Sequence, residues 1–142
     1  MTSVESCDRY IVNAIRLGNA ELEKQARLRA LQIRADEYGH TNPAERDCLC
    51  AVFAYEQVLT AKNGRKTRAS RTWPLIKKSG ILSAAERAVE KDGESADYGA
   101  LSQLGLQDVA FEAVILRYPE QFSESAVQHA QERMKSHAAV AT

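Results

Sequence analysis

A chain of 142 residues with no formal net charge, 44% hydrophobic and 27% charged, has the length of one domain and too much apolar content to stay disordered. Aromatic residues make up only 6%, so the core has to be assembled mainly from Leu, Ile, Val and Ala. No apolar run nears the ~18 residues of a membrane span, residues 1–10 lack the basic start and apolar stretch of a signal peptide, and three cysteines do not make a disulfide framework, so a cytoplasmic protein with reduced thiols is expected.

Helix stop and start signals then recur along the chain. A first helix is expected at 4–17, ended by Gly18, and Asn19 caps a second at 20–38. In the second, Leu28, Leu31, Ala35 and Tyr38 recur at spacings of three and four, an amphipathic stripe that Lys24 interrupts one turn earlier. Gly39 stops it. Asn42, Pro43 and Glu45 form a capping box with a proline start, opening a third helix at 43–62. This helix is the most apolar, with Leu49, Val52, Phe53, Tyr55, Val58 and Leu59, and is expected at the centre of the core. Glu56 lies close to its buried face, where a carboxylate requires a cationic partner.

Asn63 and Gly64 end the third helix. A fourth is expected at 67–79, although Pro74 disfavours helix at Trp73 and offers a later start, which would leave the preceding residues as a loop. Gly80 breaks the chain again, and SAAE from Ser83 to Glu86 reads as a second capping box opening a helix at 84–91. Gly93, Gly105 and Pro119 are further stops, and Ser95 and Ser123 further caps, giving helices at 96–104, 107–118 and 124–136. Residues 113–118, the best strand candidate, continue the helical spacing of Val109, Ala113 and Leu116 and read as helix. The expectation is an all-α, single-domain bundle of seven or eight short helices over 1–136, with a helix-turn-helix-like pair near 67–91 and a frayed tail at 137–142.

No signature of catalysis, metal or cofactor stands out. Cys48 and Cys50 are about 200° apart on a helix, and His129 and His137 are about 12 Å apart along one, so neither pair chelates an ion. Asp108 and Glu112 share a helical spacing, but nothing in the sequence supplies apolar walls or an oriented histidine around them. NGRKTRAS lacks the glycine spacing and Lys-Ser/Thr ending of a phosphate-binding loop. The chain is not expected to be an enzyme, and no cofactor or metal is expected.

The neutral total hides a strong local imbalance. Residues 57–84 carry seven bases and no acid, whereas residues 85–142 carry five bases and ten acids. Lys62, Arg65, Lys66, Arg68, Arg71, Lys77 and Lys78 are interleaved with Ser70 and the only tryptophan, Trp73. Guanidinium, ammonium and hydroxyl groups bind phosphate oxygens, and an indole can stack on a base or sit in the core. These nine residues are the candidate nucleic-acid contacts, with DNA ahead of RNA and an acidic protein as the other partner. The helix after Gly80, AAERAVEK, carries Glu86 and Glu90 and suits phosphates poorly, so the contacts are expected from the element before it. Two readings compete: internal neutralisation of the bases by Glu56, Glu86, Glu90 or Asp97, and a helical interaction module or homo-oligomer, for which residues 109–116 offer apolar surface.

Overall fold

Local capping sets the limits of the first three helices. In a computed structural model, which describes residues 2–90 and 95–141 with 95–98 and 137–141 in backbone alone, α1 (Val4–Leu17) starts under the Ser3 hydroxyl, which accepts from the Ser6 amide at 3.1 Å. It ends at Gly18, whose φ of 69° is left-handed backbone that favours glycine. Asn19 Oδ1 then accepts from the Leu22 amide at 3.1 Å and opens α2 (Ala20–Tyr38). At the head of α3 (Pro43–Asn63), Asn42 Oδ1 takes the Glu45 amide at 3.0 Å. Glu45 reaches back one residue further than in the standard capping box, accepting from the amide and hydroxyl of Thr41 at 2.9 and 2.8 Å.

The remaining helices are α4 (Thr72–Ser79), α5 (Ile81–Glu90), α6 (Ser95–Gln103), α7 (Phe111–Arg117) and α8 (Glu124–Ala141), with 3₁₀ turns at Gln107–Val109 and Pro119–Gln121. The architecture is all-helical, with no strand among the described residues. The stop expected at Gly93 lies outside the described residues, and the tail expected at 137–142 falls on the last turn of α8 and on Thr142, beyond the described side chains.

Three helix starts differ by more than one residue from the sequence expectation: the fourth, the fifth, and the seventh, where Ala110 in extended backbone divides the helix expected at 107–118 into the 3₁₀ turn Gln107–Val109 and α7 from Phe111. The fourth helix starts at Thr72 rather than 67, so residues 65–71 are loop. The Ala69 carbonyl accepts both the Thr72 and Trp73 amides, at 3.1 and 3.3 Å, and this tight turn starts α4 two residues ahead of Pro74. Pro74 is tolerated because first-turn amides have no intrahelical acceptor to lose. Arg68, Arg71 and Lys78 therefore do not share a helical face.

The fifth helix starts at Ile81, with the Ala84 amide bound to the Gly80 carbonyl at 3.1 Å, so Ser83 lies inside α5 and caps nothing. Ile81 packs against apolar groups on several sides of α3, and that burial outweighs the local SAAE signal. Glu86 Oε1 instead accepts the Ser123 amide at 2.7 Å, just ahead of α8, where Ser123 Oγ takes the Ala126 amide at 3.1 Å. The pair near 67–91 is thus α4 and α5 joined by Gly80 alone, where a helix-turn-helix has a turn of about three or four residues.

α3 runs through the middle of the bundle and packs against α2, α5, α6 and α7. On one side Cys50, Phe53, Ala54 and Val58 meet Leu31 and Ala35 of α2 and Leu101 of α6. On another, Cys48 meets Ala85 and Val89 of α5, Val114 and Ile115 of α7, and Ala126 and Ala130 of α8. Val52 completes the surround with Ala69, Ile76 and Ala84. The apolar stretch 109–116 is absorbed here, since Val114 and Ile115 are fully buried. Exposed large apolar side chains are found on α1 instead, at Tyr10, Val12, Ile15 and Leu17.

Candidate anion-binding site

The basic segment leaves α3 at Gly64, in left-handed backbone with φ of 71°, and is tied down before it reaches α4. The Thr67 amide donates to Thr60 Oγ1 at 3.0 Å, and Asn63 Nδ2 donates to Thr67 Oγ1 at 3.2 Å. Glu56 makes the next anchor. It is 5% exposed, and one oxygen, Oε2, accepts from the Ala69 amide at 2.8 Å, the Trp73 indole at 2.6 Å and Arg68 Nε at 3.2 Å.

The cationic partner expected for Glu56 is therefore Arg68, joined by two uncharged donors. Arg68 is not consumed by the pairing: its side chain is 64% exposed, with the guanidinium carbon 5.3 Å from the centre of the Trp73 ring. Trp73 itself is half-buried, its ring 5.3 Å from that of Tyr38 and 5.2 Å from that of Phe53. Its N–H is committed to Glu56 and much of its surface to the core.

The other six bases face solvent. Lys62, Arg65, Lys66, Arg71, Lys77 and Lys78 are exposed, as is the Ser70 side chain, and among the described residues no carboxylate lies within 4 Å of any of the six. Of the acids considered as internal neutralisers, Glu56 takes one base, Glu86 takes the Ser123 amide, Glu90 is exposed, and the Asp97 side chain lies outside the described residues. The fold divides these bases among the last turn of α3, the loop at 65–71 and the end of α4.

The loop also forms one wall of a cleft of about 430 Å³ that the sequence did not suggest. Thr67, Arg68, Ser70, Arg71 and Thr72 line it from the loop and the head of α4, with Tyr55 and Leu59 of α3, Leu75 of α4, Ala84, Arg87 and Ala88 of α5, Phe111 and Glu112 of α7, and Arg133 of α8. Arg87 is exposed. Glu112, 6% exposed, accepts from Arg133 at 3.3 Å, and the same Arg133 nitrogen donates to the Ala88 carbonyl at 3.1 Å.

No family model matches the chain, and neither a curated protein nor a solved structure does.

The pair of carboxylates considered for acid–base work does not form. Ala110, with φ −62° and ψ 154°, separates the turn carrying Asp108 from α7, so Asp108 is exposed while Glu112 turns inward to Arg133. Cys48 and Cys50 face different parts of the core, as their spacing requires. Burial pushes their thiols up to about 12 and about 11, and raises that of Cys7. His129 Nδ1 lies 2.7 Å from the Ser125 carbonyl, and among the described residues no three His, Cys, Asp or Glu side chains are grouped to hold a metal ion.

Proposed function

We propose that the chain binds nucleic acid through the phosphate backbone, using the last turn of α3, the loop at 65–71 and the basic end of α4. One observation carries this reading: six of seven consecutive bases are exposed without a carboxylate within 4 Å among the described residues. Exposed Lys and Arg near a polyanion release its condensed counterions, which supplies affinity without reading sequence. Arg65, Lys66 and Arg71, with Ser70, are the principal phosphate contacts, and Lys62, Lys77 and Lys78 extend them. Trp73 shapes the loop from beneath, and Arg68 joins Glu56 to the solvent face.

Duplex DNA is the first ligand to test. Fluorescence anisotropy with random duplex and single-stranded oligonucleotides at two salt concentrations is expected to show binding that weakens steeply as salt rises; no binding at low salt ends the proposal.

A second reading, an interaction module or homo-oligomer, is favoured by a different observation. α1 packs against α2, yet Val12, Ile15 and Leu17 are 65%, 56% and 71% exposed. Sedimentation velocity over a range of concentrations tests it: a monomer throughout counts against self-association. No helix among the described residues is long and apolar enough to cross a membrane.

A further inference from the structure

We propose that the cleft behind the basic loop binds a single nucleoside phosphate unit, its phosphate at the mouth and its base within. Arg87, in α5 and outside the basic segment, joins Arg68 and Arg71 there. Arg71 and Arg87 have no carboxylate within 4 Å among the described residues, so the opening gathers positive charge, offset at Arg68 by Glu56, while the lining carboxylate Glu112 is paired with Arg133. Such a concave, one-signed opening concentrates anions.

The interior has different chemistry. Tyr55, Leu59, Leu75 and Phe111 give apolar and aromatic surface, and Glu112, held by Arg133, sets a carboxylate acceptor where both side chains are largely withdrawn from water. A bare inorganic anion would leave the aromatic walls unused, and an uncharged apolar molecule would leave the guanidiniums unneutralised. A nucleoside phosphate matches all three parts: phosphate for the arginines, a flat π-face for the walls, and a base edge bearing N–H donors for the buried carboxylate. The volume of about 430 Å³ falls within the range of about 300–1,000 Å³ usual for small-molecule sites.

The unit can come from a free mononucleotide or from the phosphorylated end of a strand. The site uses the inner side of the loop together with α5, α7 and α8; it shares Ser70 and Arg71 with the polymer contacts, whereas Arg87 is not among those contacts and distinguishes the two.

Calorimetry on the full chain tests it with the four common nucleoside 5′-monophosphates, their nucleosides, inorganic phosphate and 5′-phosphorylated tetranucleotides. At least one monophosphate is expected to bind one-to-one and about tenfold or more tighter than its nucleoside or inorganic phosphate. Arg87→Ala, at an exposed helix position, is expected to weaken that binding about tenfold while changing duplex affinity by no more than about threefold. Ala88→Phe, filling the cleft without altering charge, is expected to abolish it; should that variant not fold, Arg87→Ala still decides. A tetranucleotide that competes at equal or higher affinity identifies a strand end, and one that does not identifies the free nucleotide. No saturable binding of any monophosphate, equal binding of inorganic phosphate, or an unchanged affinity in Arg87→Ala overturns the assignment. Loss of duplex binding alone would overturn only the polymer reading.

Discussion

The indole N–H of Trp73 donates to Glu56 Oε2 at 2.6 Å, joining the only tryptophan to a buried carboxylate on the central helix. The same oxygen holds the Ala69 amide, so one side chain of α3 sets both the course of the basic loop and the start of α4. Glu56→Ala leaves these two donors without their acceptor and is expected to cost about 2–4 kcal/mol, with Glu56→Gln, which keeps one oxygen, nearer about 1–2 kcal/mol. Urea unfolding followed by tryptophan emission measures both, and the native emission of Glu56→Ala should shift to the red. Parent-like stability in Glu56→Ala would remove the anchor from this account.

Charge reversal at Arg65 and Lys66 separates binding from folding. Both side chains are exposed and lie outside the Glu56 cluster, so Arg65→Glu with Lys66→Glu should leave thermal unfolding close to the parent's. On duplex DNA the log–log salt slope is expected to fall by about one for each phosphate contact removed. Reversal of Arg68 is a poorer probe, because it places a second carboxylate beside Glu56. An unchanged slope in the double variant would place the contacts elsewhere.

The three cysteines should behave as core residues. All are buried, with Cys48 and Cys50 pushed up to about 12 and about 11 by burial, so few thiolates are present near pH 8. A chromogenic disulfide reagent is expected to find almost no reactive thiol in the native chain and three in denaturant. Rapid modification of one thiol under native conditions would mean that its helix opens locally.

Acid should remove one surface contribution within a defined window. Asp36 accepts two bonds from Arg46, at 2.9 and 3.3 Å, and one from His40 at 2.9 Å, and its carboxyl is lowered from 3.8 to about 2, chiefly by Arg46. A depressed folded value means stabilisation that is complete above the unfolded value and disappears as pH falls from about 4 to below 2. The Asp36 side chain is half exposed, so Asp36→Asn should cost only about 0.5–1 kcal/mol at pH 7. Denaturation of the two proteins across pH is expected to converge below pH 2; a difference that persists there would not come from this titration.

The parts of the fold legible in the sequence are those governed by neighbours in the chain. Gly18, Asn19 and Asn42 act within a turn of themselves, and the limits expected for α1 and α2 are those observed. SAAE was misleading because burial of Ile81 carries α5 back to Gly80 and because Glu86 finds its donor 37 residues away. Glu56 was recognisable as a buried carboxylate, yet two of its three donors are an amide and an indole, which charge pairing does not suggest. The cleft was out of reach for a similar reason. Arg87, Glu112 and Arg133 lie on three helices, and helical periodicity shows which face of each is apolar but not which faces meet.

The loop's attachment to Thr60 and Glu56 bears on how its charges would be used. A free segment of the same composition would have to surrender its backbone freedom on meeting a ligand, at roughly 1–2 kcal/mol per residue. Here that entropy is already lost when α3 packs, and only the outer rotations of the arginine and lysine side chains remain to be restricted. An encounter with an anion then finds the backbone preorganised, so a larger share of each electrostatic contact is retained as affinity.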